Sequence, residues 1–435
     1  MTTLARLKWS AANLYRALPR SRAELASDLD RRWQVAKQAG LKQIVIDAGV
    51  TAAHLFRLGQ DIATLVLPGK AAPRYGSFAF GIHPRDLADV YRHYPFFRYL
   101  PESLTKEICR YLPPTRLSTI EGLVSPVNGK TLIGQLLTTA QTPDLMLEDG
   151  RWAAMHAVLL ARLADKLGIG ILGLGALLPS LTRYGTTINK HVPDLTITTG
   201  HAYTALLVAQ TALKVSGLVA PNRSELIAVV GAGGSIGAAA SLILGENGAD
   251  RLLLIDRDMK LGKAQTTAQA LTAKGVEVEV TSDLAQVSRA GIIISVTNAD
   301  KMLIREELLR PGMIIIDDAQ PANVSQALAA RHPEIAVLKV LAKVPGLKPN
   351  FDFGLGTPPD VTFTCLAETT LLAAAGSRRN FATSNIDPAW IEFLAQIAQE
   401  QKVAPPDVFY GFNGREITSA ELRDKFGRFF DAAKA

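Results

Sequence analysis

The chain of 435 residues is 48% hydrophobic and 20% charged, and it carries a formal net charge of +7. This length and composition predict a globular protein of two or three domains. Two cysteines exclude a disulfide framework, and the longest nearly apolar run, residues 167–181, is broken by glycines and too short to span a membrane. Because the N-terminus lacks the apolar core of a secretory signal, we expect a cytoplasmic location.

The positive charge, with a pI near 9.3, favours an acidic partner. Anionic lipid, an acidic carrier protein and nucleic acid all carry negative charge. The sequence shows no zinc-ligand spacing, RNA-binding signature or dense basic run, so no nucleic-acid partner and no metal site are expected. Charge alone does not choose between the other two partners, and the sequence gives no oligomeric state.

Residues 1–77 are predicted to be a separate N-terminal extension whose role the sequence does not show. Residues 21–40 have a helical pattern, and the following QIVIDAG, at 43–49, is predicted to be a strand. Residues 1–23 contain five basic side chains, no acid and an apolar stripe at helical spacing. This pattern predicts either peripheral membrane contact or a helix that covers the body of the protein.

Residues 78–217 and 346–435 are predicted to build one α+β substrate domain. The first segment ends in residues 198–217, which are apolar almost all round and should form a buried helix that links two domains. The aromatic run YPFFRYL, at 94–100, is interpreted either as ordinary core packing or as the lining of an apolar tunnel.

Residues 218–345 alternate short β-branched runs with helical segments, which predicts a doubly wound parallel sheet of the Rossmann type. Between its first strand and helix lies a glycine-rich loop, followed after the next strand by an acid. Glycines let backbone N–H groups approach a pyrophosphate at the start of a helix. The predicted dinucleotide-binding residues are Gly231, Gly233, Gly234, Ser235, Ile236, Gly237, Asp256, Arg257, Thr297 and Asp317, with Asp318 beside the last.

The choice between the two nicotinamide cofactors is left open by two adjacent residues. Asp256 would accept hydrogen bonds from ribose hydroxyls and repel a 2′-phosphate, which favours NADH. Arg257 would pair with that phosphate, which favours NADPH.

Cys365 begins an apolar helical segment in the predicted substrate domain. In a nicotinamide enzyme, a thiolate can attack an acyl thioester and present the resulting enzyme-bound carbonyl to the hydride. On composition alone, a buried cysteine that serves as a small hydrophobic residue is the commoner interpretation.

Several segments nevertheless resemble one known family in sequence and order. TTGHAYTALLVAQTAL, VVGAGGSIGAAAS, IIIDDAQPANV and FTCLAETTLLAAAG are similar to segments of the long-chain acyl-(acyl-carrier-protein) reductases, which form fatty aldehydes, and FGIHPRDLADVYR is similar to that family's opening segment. The resemblance covers about residues 78–400. It implies acylation of Cys365, use of NADPH and an acyl-carrier-protein or acyl-CoA substrate, whereas Asp256 departs from the family pattern. Cys109 matches no motif and is interpreted as structural.

The other predicted catalytic residues are Glu368, His201 and Thr199. If a helix begins at Cys365, its N-terminus lowers the thiol pKa; if TPPD, at 357–360, caps the helix instead, Cys365 lies two turns inside. Glu368 is interpreted as a proton donor or a helix cap. His201 is either a junction histidine or part of the site, and Thr199, with Thr198, is a candidate oxyanion donor.

Three functions remain as hypotheses. The leading one is NAD(P)H-dependent reduction of a long-chain acyl thioester to an aldehyde through Cys365. The second is a small-molecule dehydrogenase or reductase of the shikimate or glutamyl-tRNA type. The third is a nicotinamide-sensing binding module without catalysis.

Overall fold

The structure, a computed structural model, describes residues 22–72, 76–221, 225–297, 302–319, 322–381 and 385–431. The described chain begins with helix α1 (Arg22–Val66), which is interrupted by non-helical backbone at Gly40. The strand predicted for QIVIDAG is wrong, because these residues belong to α1. The predicted amphipathic segment at residues 1–23 lies almost wholly outside the described residues, and membrane contact there stays a prediction.

The first sheet and its helices follow α1 along the chain. Its main strands are β1 (Phe78–Ile82), β2 (Thr115–Glu121), β3 (Gly134–Thr138), β4 (Ile171–Leu174) and β5 (Thr196–Thr198). The helices of this part are α2 (Leu87–His93), α3 (Glu102–Tyr111), α4 (Pro143–Glu148), α5 (Gly150–Lys166), α6 (Leu178–Leu181), α7 (Thr186–Asn189) and α8 (His201–Val219). Strands β3, β1, β4 and β5 run parallel, whereas β2 pairs antiparallel with β3.

The second sheet is the doubly wound domain that the sequence predicts. It contains β6 (Leu226–Val230), β7 (Arg251–Ile255), β8 (Glu277–Thr281), β9 (Ile292–Ser295), β10 (Ile314–Asp317) and β11 (Ala336–Leu338). All pairs are parallel, in the order β11-β10-β9-β6-β7-β8. Helices α9 (Ser235–Glu246), α10 (Leu261–Thr272) and α11 (Gln326–Arg331) connect its strands. The fold-class prediction is confirmed.

The remaining elements return to the first sheet and to the domain junction. They are β12 (Leu341–Lys343), β13 (Lys348–Pro349), β14 (Val361–Phe363), α12 (Thr364–Ala374), α13 (Pro388–Gln401), β15 (Phe409–Tyr410), β16 (Glu416–Ile417) and α14 (Ser419–Asp431). Strand β13 joins the edge of the first sheet beside β2. Helix α12 packs on β1 and β4, so the C-terminal part completes the first domain.

Helix α8 lies at the junction of the two sheets and packs against α9, α12, α13 and α14. It is apolar over most of its surface, as a largely buried helix must be, and its buried residues belong to the core that continues into both domains. Its length and hydropathy alone would also suit a membrane span, but 67% of the apolar stretch is buried within the protein. The predicted linking helix at 198–217 is therefore present from His201 onwards.

Candidate functional site at the domain junction

The glycine loop between β6 and α9 has the close packing that requires glycine. Gly231 has a φ of 94°, and a Cβ added there would lie 2.9 Å from the Val296 carbonyl oxygen. At Gly233 a Cβ would lie 2.5 Å from the Lys260 carbonyl oxygen, and at Gly237 2.2 Å from the Gly231 carbonyl oxygen. Backbone atoms surround a cradle at these positions, and side chains here would fill it. The loop therefore fits the pyrophosphate of a dinucleotide.

The N-terminus of α9 completes this cradle. Gly234 is the N-cap residue, and Ser235, Ile236 and Gly237 form the first turn, whose N–H groups have no partner within the helix. Such N–H groups, together with the helix dipole, stabilise a phosphate. Six of the predicted cofactor-binding residues therefore lie together in the glycine loop and the first turn of α9.

Asp256 follows β7 and bonds directly to the glycine loop. Its Oδ2 accepts a hydrogen bond of 2.8 Å from the Gly233 N–H, and its Oδ1 accepts one from the Arg257 N–H. Arg257 is exposed. The carboxylate therefore lies beside the glycine loop. Its contact with a ribose stays a prediction.

The carboxyl ends of β9 and β10 supply the opposite side of the same edge. Asp317 is fully buried and accepts hydrogen bonds from the N–H groups of Ala319, Asn323 and Val324, so it anchors the loop after β10. Asn323 donates in turn to the hydroxyl oxygens of Ser295 and Thr297. Asp317 therefore acts inside the protein rather than on a ligand.

Asn323 was not singled out from the sequence, although it lies in the quoted segment after β10. Its Oδ1 atom is buried without a hydrogen-bond partner among the described residues. A buried acceptor of this kind is costly unless a ligand or water donates to it. Since it lies at the sheet edge where nucleotides bind, it gives a second sign that the residues present fit a nicotinamide cofactor.

Cys365 is the second residue of α12, whose N-cap residue is Phe363. The alternative in which TPPD caps this helix is wrong, because β14 lies between that segment and the first turn. Gly200, the N-cap residue of α8, touches the cysteine so closely that a Cβ added to Gly200 would lie 2.2 Å from the Cys365 Cβ. The two helix N-termini therefore meet at the cysteine.

A cavity of about 400 Å³ extends from Cys365 along the first sheet. Its walls are mostly apolar and come from β1, β2, α2 and the loop before β14, including Phe80, Phe351, Phe353 and Phe363. Arg85 and Arg92, each paired with Asp89, have half-exposed side chains in the wall. This volume and lining suit a small organic molecule with an apolar body.

Cys365 is partly exposed and lines this cavity. Burial raises its pKa to about 12, and the Asp318 carboxyl adds to the rise, while the N–H groups of the helix N-terminus oppose it. The N–H groups of the helix N-terminus lower the thiol pKa, as expected for a helix that begins here, but desolvation of the charged form outweighs this effect. At neutral pH the group is a thiol.

Asp318 is the neighbour of Asp317 but has a different environment. Its N–H bonds to the Ser295 carbonyl oxygen, and burial raises the pKa of its carboxyl to about 8. Its effect on the Cys365 pKa places the carboxyl within electrostatic reach of the thiol. Asp318 therefore holds a proton at neutral pH at the edge where both domains meet, a property that its sequence position alone did not show.

Glu368 lies one turn after Cys365 and is completely buried. It accepts hydrogen bonds from the Tyr203 N–H, at 2.8 Å, and from the Thr198 hydroxyl. Burial raises the pKa of Glu368, and bonds from the N–H groups of Gly200 and Ala202 partly offset the rise. Glu368 belongs to α12, but its carboxyl caps the N-terminus of α8 and holds that helix in position.

Thr199 and His201 flank Gly200 at the start of α8. Thr199 is buried, and the structure shows no bond that assigns it an oxyanion role. His201 Nδ1 lies 2.8 Å from the Ser235 hydroxyl, so it joins the start of α8 to the glycine loop. Because burial lowers the pKa of His201 to about 4, the ring is neutral at neutral pH.

The cavity also contains three histidines that sequence reasoning missed. His54 of α1 and His93 of α2 have ring centroids 4.0 Å apart, and burial lowers the pKa of both, that of His93 to about 3. His83 bonds through Nδ1 to the Pro84 carbonyl and accepts from the Leu177 N–H at Nε2, which fixes a neutral ring. They come from separate segments, so no local pattern could have grouped them.

Two further predictions concern aromatic residues and the second cysteine. Of YPFFRYL, Tyr94 reaches the cavity, whereas Phe97 stacks on Tyr94 in the core with centroids 5.1 Å apart. Cys109 is completely buried, and burial raises its pKa to about 12. It belongs to α3, packs in the small core that also contains Tyr94, and does not itself line the cavity.

Comparison with known protein families gives a match in the middle of the chain. A family profile, the ornithine cyclodeaminase/mu-crystallin family, matches residues 190–329, which include α8 and most of the doubly wound domain. No curated protein sequence matches this chain. The match supports an NAD(P)-dependent oxidoreductase-like enzyme and does not specify the substrate.

Solved structures with a related arrangement have low identity. L-tryptophan dehydrogenase from Nostoc punctiforme is 12% identical, with 83% of this chain and 89% of that chain covered and a TM-score of 0.33. Quinate dehydrogenase from Corynebacterium glutamicum in complex with NAD is 15% identical, with coverage of 74% and 99% and a TM-score of 0.30. Glutamyl-tRNA reductase from Methanopyrus kandleri is 14% identical, with coverage of 66% and 55% and a TM-score of 0.25. The chain thus spans about half the length of this last protein.

The profile match corrects the resemblance to the long-chain acyl-(acyl-carrier-protein) reductases, and that assignment is wrong. Three of the quoted segments lie within or overlap residues 190–329, where the profile of another family matches. The physical reason is that a glycine turn, a buried strand and a junction helix are needed by any nicotinamide domain of this fold. These segments therefore specify the fold rather than a substrate.

We predict that Cys365 reacts slowly with iodoacetamide at neutral pH and that Asp318→Asn accelerates the reaction only above about pH 8. The thiolate is the reactive form, and Asp318 repels it only when ionised, above its pKa of about 8. The rate is measured against pH in a Cys109→Ala background.

The matched control is Asp258→Asn, which removes an exposed carboxylate near the glycine loop and should leave the rate unchanged. Half-maximal reactivity of the wild-type thiol below about pH 8 would contradict the dominance of burial.

Proposed function

We propose that the protein is a nicotinamide-dependent oxidoreductase that interconverts the carbonyl and reduced forms of a small molecule with an apolar body. The observation that carries the proposal is the meeting of two features at one point. Cys365 lines the mostly apolar cavity, and it lies at the junction with the edge that carries the glycine cradle and Asp318. A substrate in the cavity would therefore present one end to that edge.

The cofactor would be held by residues of the second domain. The glycine loop and the start of α9 would bind the pyrophosphate, and Asp256 would bind the ribose next to it. When bound, a nicotinamide supplies or accepts a hydride. His201 would position the loop through its contact with Ser235.

The proton chemistry would be provided by the chain itself. Reduction of a carbonyl develops negative charge on oxygen, which a nearby acid must neutralise. Asp318, with a pKa of about 8, carries a proton at neutral pH and is the acid at this edge. The Cys365 thiol is also neutral and lines the cavity, so the substrate carbonyl would meet uncharged donors beside the mostly apolar part of the wall.

We expect that small aldehydes, ketones and 2-oxo acids with apolar substituents include substrates that oxidise NADH or NADPH in the presence of the protein. Gly233→Ala should weaken cofactor binding at least tenfold, because its Cβ would lie 2.5 Å from the Lys260 carbonyl oxygen. Cofactor affinity is measured by fluorescence titration and turnover by nicotinamide absorbance.

The control is Gly217→Ala in α8, where an added Cβ would have no atom within 4 Å. A Gly233→Ala variant with unchanged cofactor affinity would argue against the glycine cradle. Cofactor binding without turnover of any of these compounds would instead favour the binding-module hypothesis.

For the cofactor we expect NADH to bind more tightly than NADPH, because Asp256 would face the 2′-phosphate of NADPH. Asp256→Ala should therefore raise the affinity for NADPH relative to NADH, as measured by parallel titrations. Asp256→Asn keeps an acceptor for the Gly233 N–H and separates loss of charge from loss of the hydrogen bond. Asp258→Ala should change neither affinity. A wild type that prefers NADPH and loses this preference in Asp256→Ala would refute the assignment.

A second candidate function is reduction of an acyl thioester through Cys365, favoured by the opening of this thiol into the apolar cavity. The thiolate would attack the substrate carbonyl and release the substrate's thiol. Hydride addition to the enzyme thioester would give a thiohemiacetal, which collapses to an aldehyde and the free Cys365 thiol. The raised pKa of Cys365 weighs against this route, since the attacking species is the thiolate.

For this second candidate, incubation with an acyl thioester and no nicotinamide should add an acyl mass to the wild type and to Cys109→Ala. The increment should be absent from Cys365→Ala, as read by intact mass spectrometry. An unmodified wild type, or an increment that survives Cys365→Ala, would exclude the covalent route and leave direct hydride transfer.

A further inference from the structure

Helix α1 presents its polar face to the body of the protein. Asp47 accepts a hydrogen bond of 2.6 Å from the Tyr99 hydroxyl, and Asp61, completely buried, accepts from the Thr115 hydroxyl and pairs with Arg116. A surface helix usually packs its apolar stripe inwards and turns its polar face to water. In residues 41–66 of α1 the buried face is instead mixed, because Asp47, Thr51 and Asp61 are buried on it together with Leu58.

The opposite face of this half of α1 is apolar and exposed. Leu41, Val45, Phe56 and Val66 are 78%, 62%, 71% and 77% exposed, respectively. Exposed large apolar side chains in a contiguous row are uncommon unless something covers them. This row is therefore a candidate interaction surface, which we call the outer seam.

The outer seam has a heptad spacing that a lipid surface would not require. The outer seam also includes the small residues between its large members. From Val45 onwards it alternates at steps of four and three residues along the helix, namely Val45, Gly49, Ala52, Phe56, Gly59, Ala63 and Val66. A repeat of 3.5 residues keeps one seam facing a partner helix. The small residues permit close approach of a second backbone, and Cβ atoms added at Gly49 and Gly59 would meet no atom within 4 Å.

We propose that two copies of this chain form a homodimer by packing their outer seams against each other. Charge supports a protein partner over an anionic lipid surface. Between Leu41 and Val66, all within the described chain, Lys42 and Arg57 are the lysine and arginine residues. Peripheral membrane helices need a denser basic border beside the apolar face.

The available area is close to what a stable dimer buries. Residues 41–66 at 1.5 Å per residue span about 39 Å, and half the circumference of a helix about 11 Å wide gives on the order of 700 Å². Standard interfaces bury about 800 Å² per partner. The outer seam with its immediate neighbours thus supplies an interface of ordinary size.

The outer seam lies behind a wall of the cavity. His54, on the same half of α1, lines the cavity and contacts His93. Packing of a second copy on the outer seam would hold this wall against the body, so the dimer and the candidate site share one helix. The proposal does not depend on the proposed chemistry.

The test is the oligomeric state of the full chain, measured by sedimentation velocity over the micromolar range. We expect a dimer for the wild type, a monomer for the double variant Ala52→Glu with Phe56→Glu, and a dimer for Val127→Glu. Val127 is 67% exposed and lies in the turn between β2 and β3, far along the chain from α1, so it controls for the effect of a new surface charge. Both altered residues of α1 are exposed, and circular dichroism with cofactor titration checks that the double variant remains folded.

A second measurement addresses the contact itself. In a Cys109→Ala background, Ala52→Cys lies near the middle of the outer seam and should form an intermolecular disulfide on oxidation, whereas Val127→Cys should not. A monomeric wild type, or a dimer that survives the double variant, would overturn the proposal. A monomer that binds anionic vesicles through the outer seam would likewise overturn it and assign the surface to lipid.

Discussion

The candidate site depends on one buried carboxyl, Glu368, at the start of α8. The first N–H groups of a helix have no partner within the helix, and their burial without one is costly. Glu368 satisfies them from α12, through the Tyr203 N–H and the neighbouring backbone. This bond fixes the N-termini of α8 and α12 against each other, and Gly200 is required because no Cβ fits between its backbone and Cys365.

From this contact the positions of the other groups follow. With α8 fixed, His201 reaches Ser235 and holds the glycine loop at a set distance from the first sheet. With α12 fixed, Cys365 packs against the core on one side and lines the cavity on the other. Adjacent residues at a strand end point in opposite directions, so Asp317 anchors its own loop while Asp318 acts on the thiol. One structural bond thereby brings a cofactor edge and a substrate cavity together.

The sequence predicted those parts of the structure that local patterns determine. The strands of the second sheet, the glycine loop and Asp256 follow from runs of neighbouring residues, and the junction helix from its apolar composition. The cavity could not be predicted, since His54, His83 and Phe353 belong to segments far apart in the chain. QIVIDAG was misread because Asp47 anchors it as helix through Tyr99, a contact that its β-branched neighbours do not reveal. Glu368 was known to be near Cys365, but the helix that it caps lies at a distant position in the sequence.

The protonation states at the junction distinguish the two chemical routes. Burial leaves the Cys365 thiol, the Asp318 carboxyl and the His201 ring uncharged at neutral pH. A covalent route begins from an ionised thiol, which this enclosure disfavours by desolvation and by the Asp318 carboxyl once it ionises. Direct hydride transfer begins from a neutral carbonyl and develops charge that a protonated carboxyl can neutralise. Burial therefore disfavours the Cys365 thiolate and at the same time keeps the Asp318 carboxyl protonated. For this reason the structure supports a small-molecule dehydrogenase more strongly than a thioester reductase.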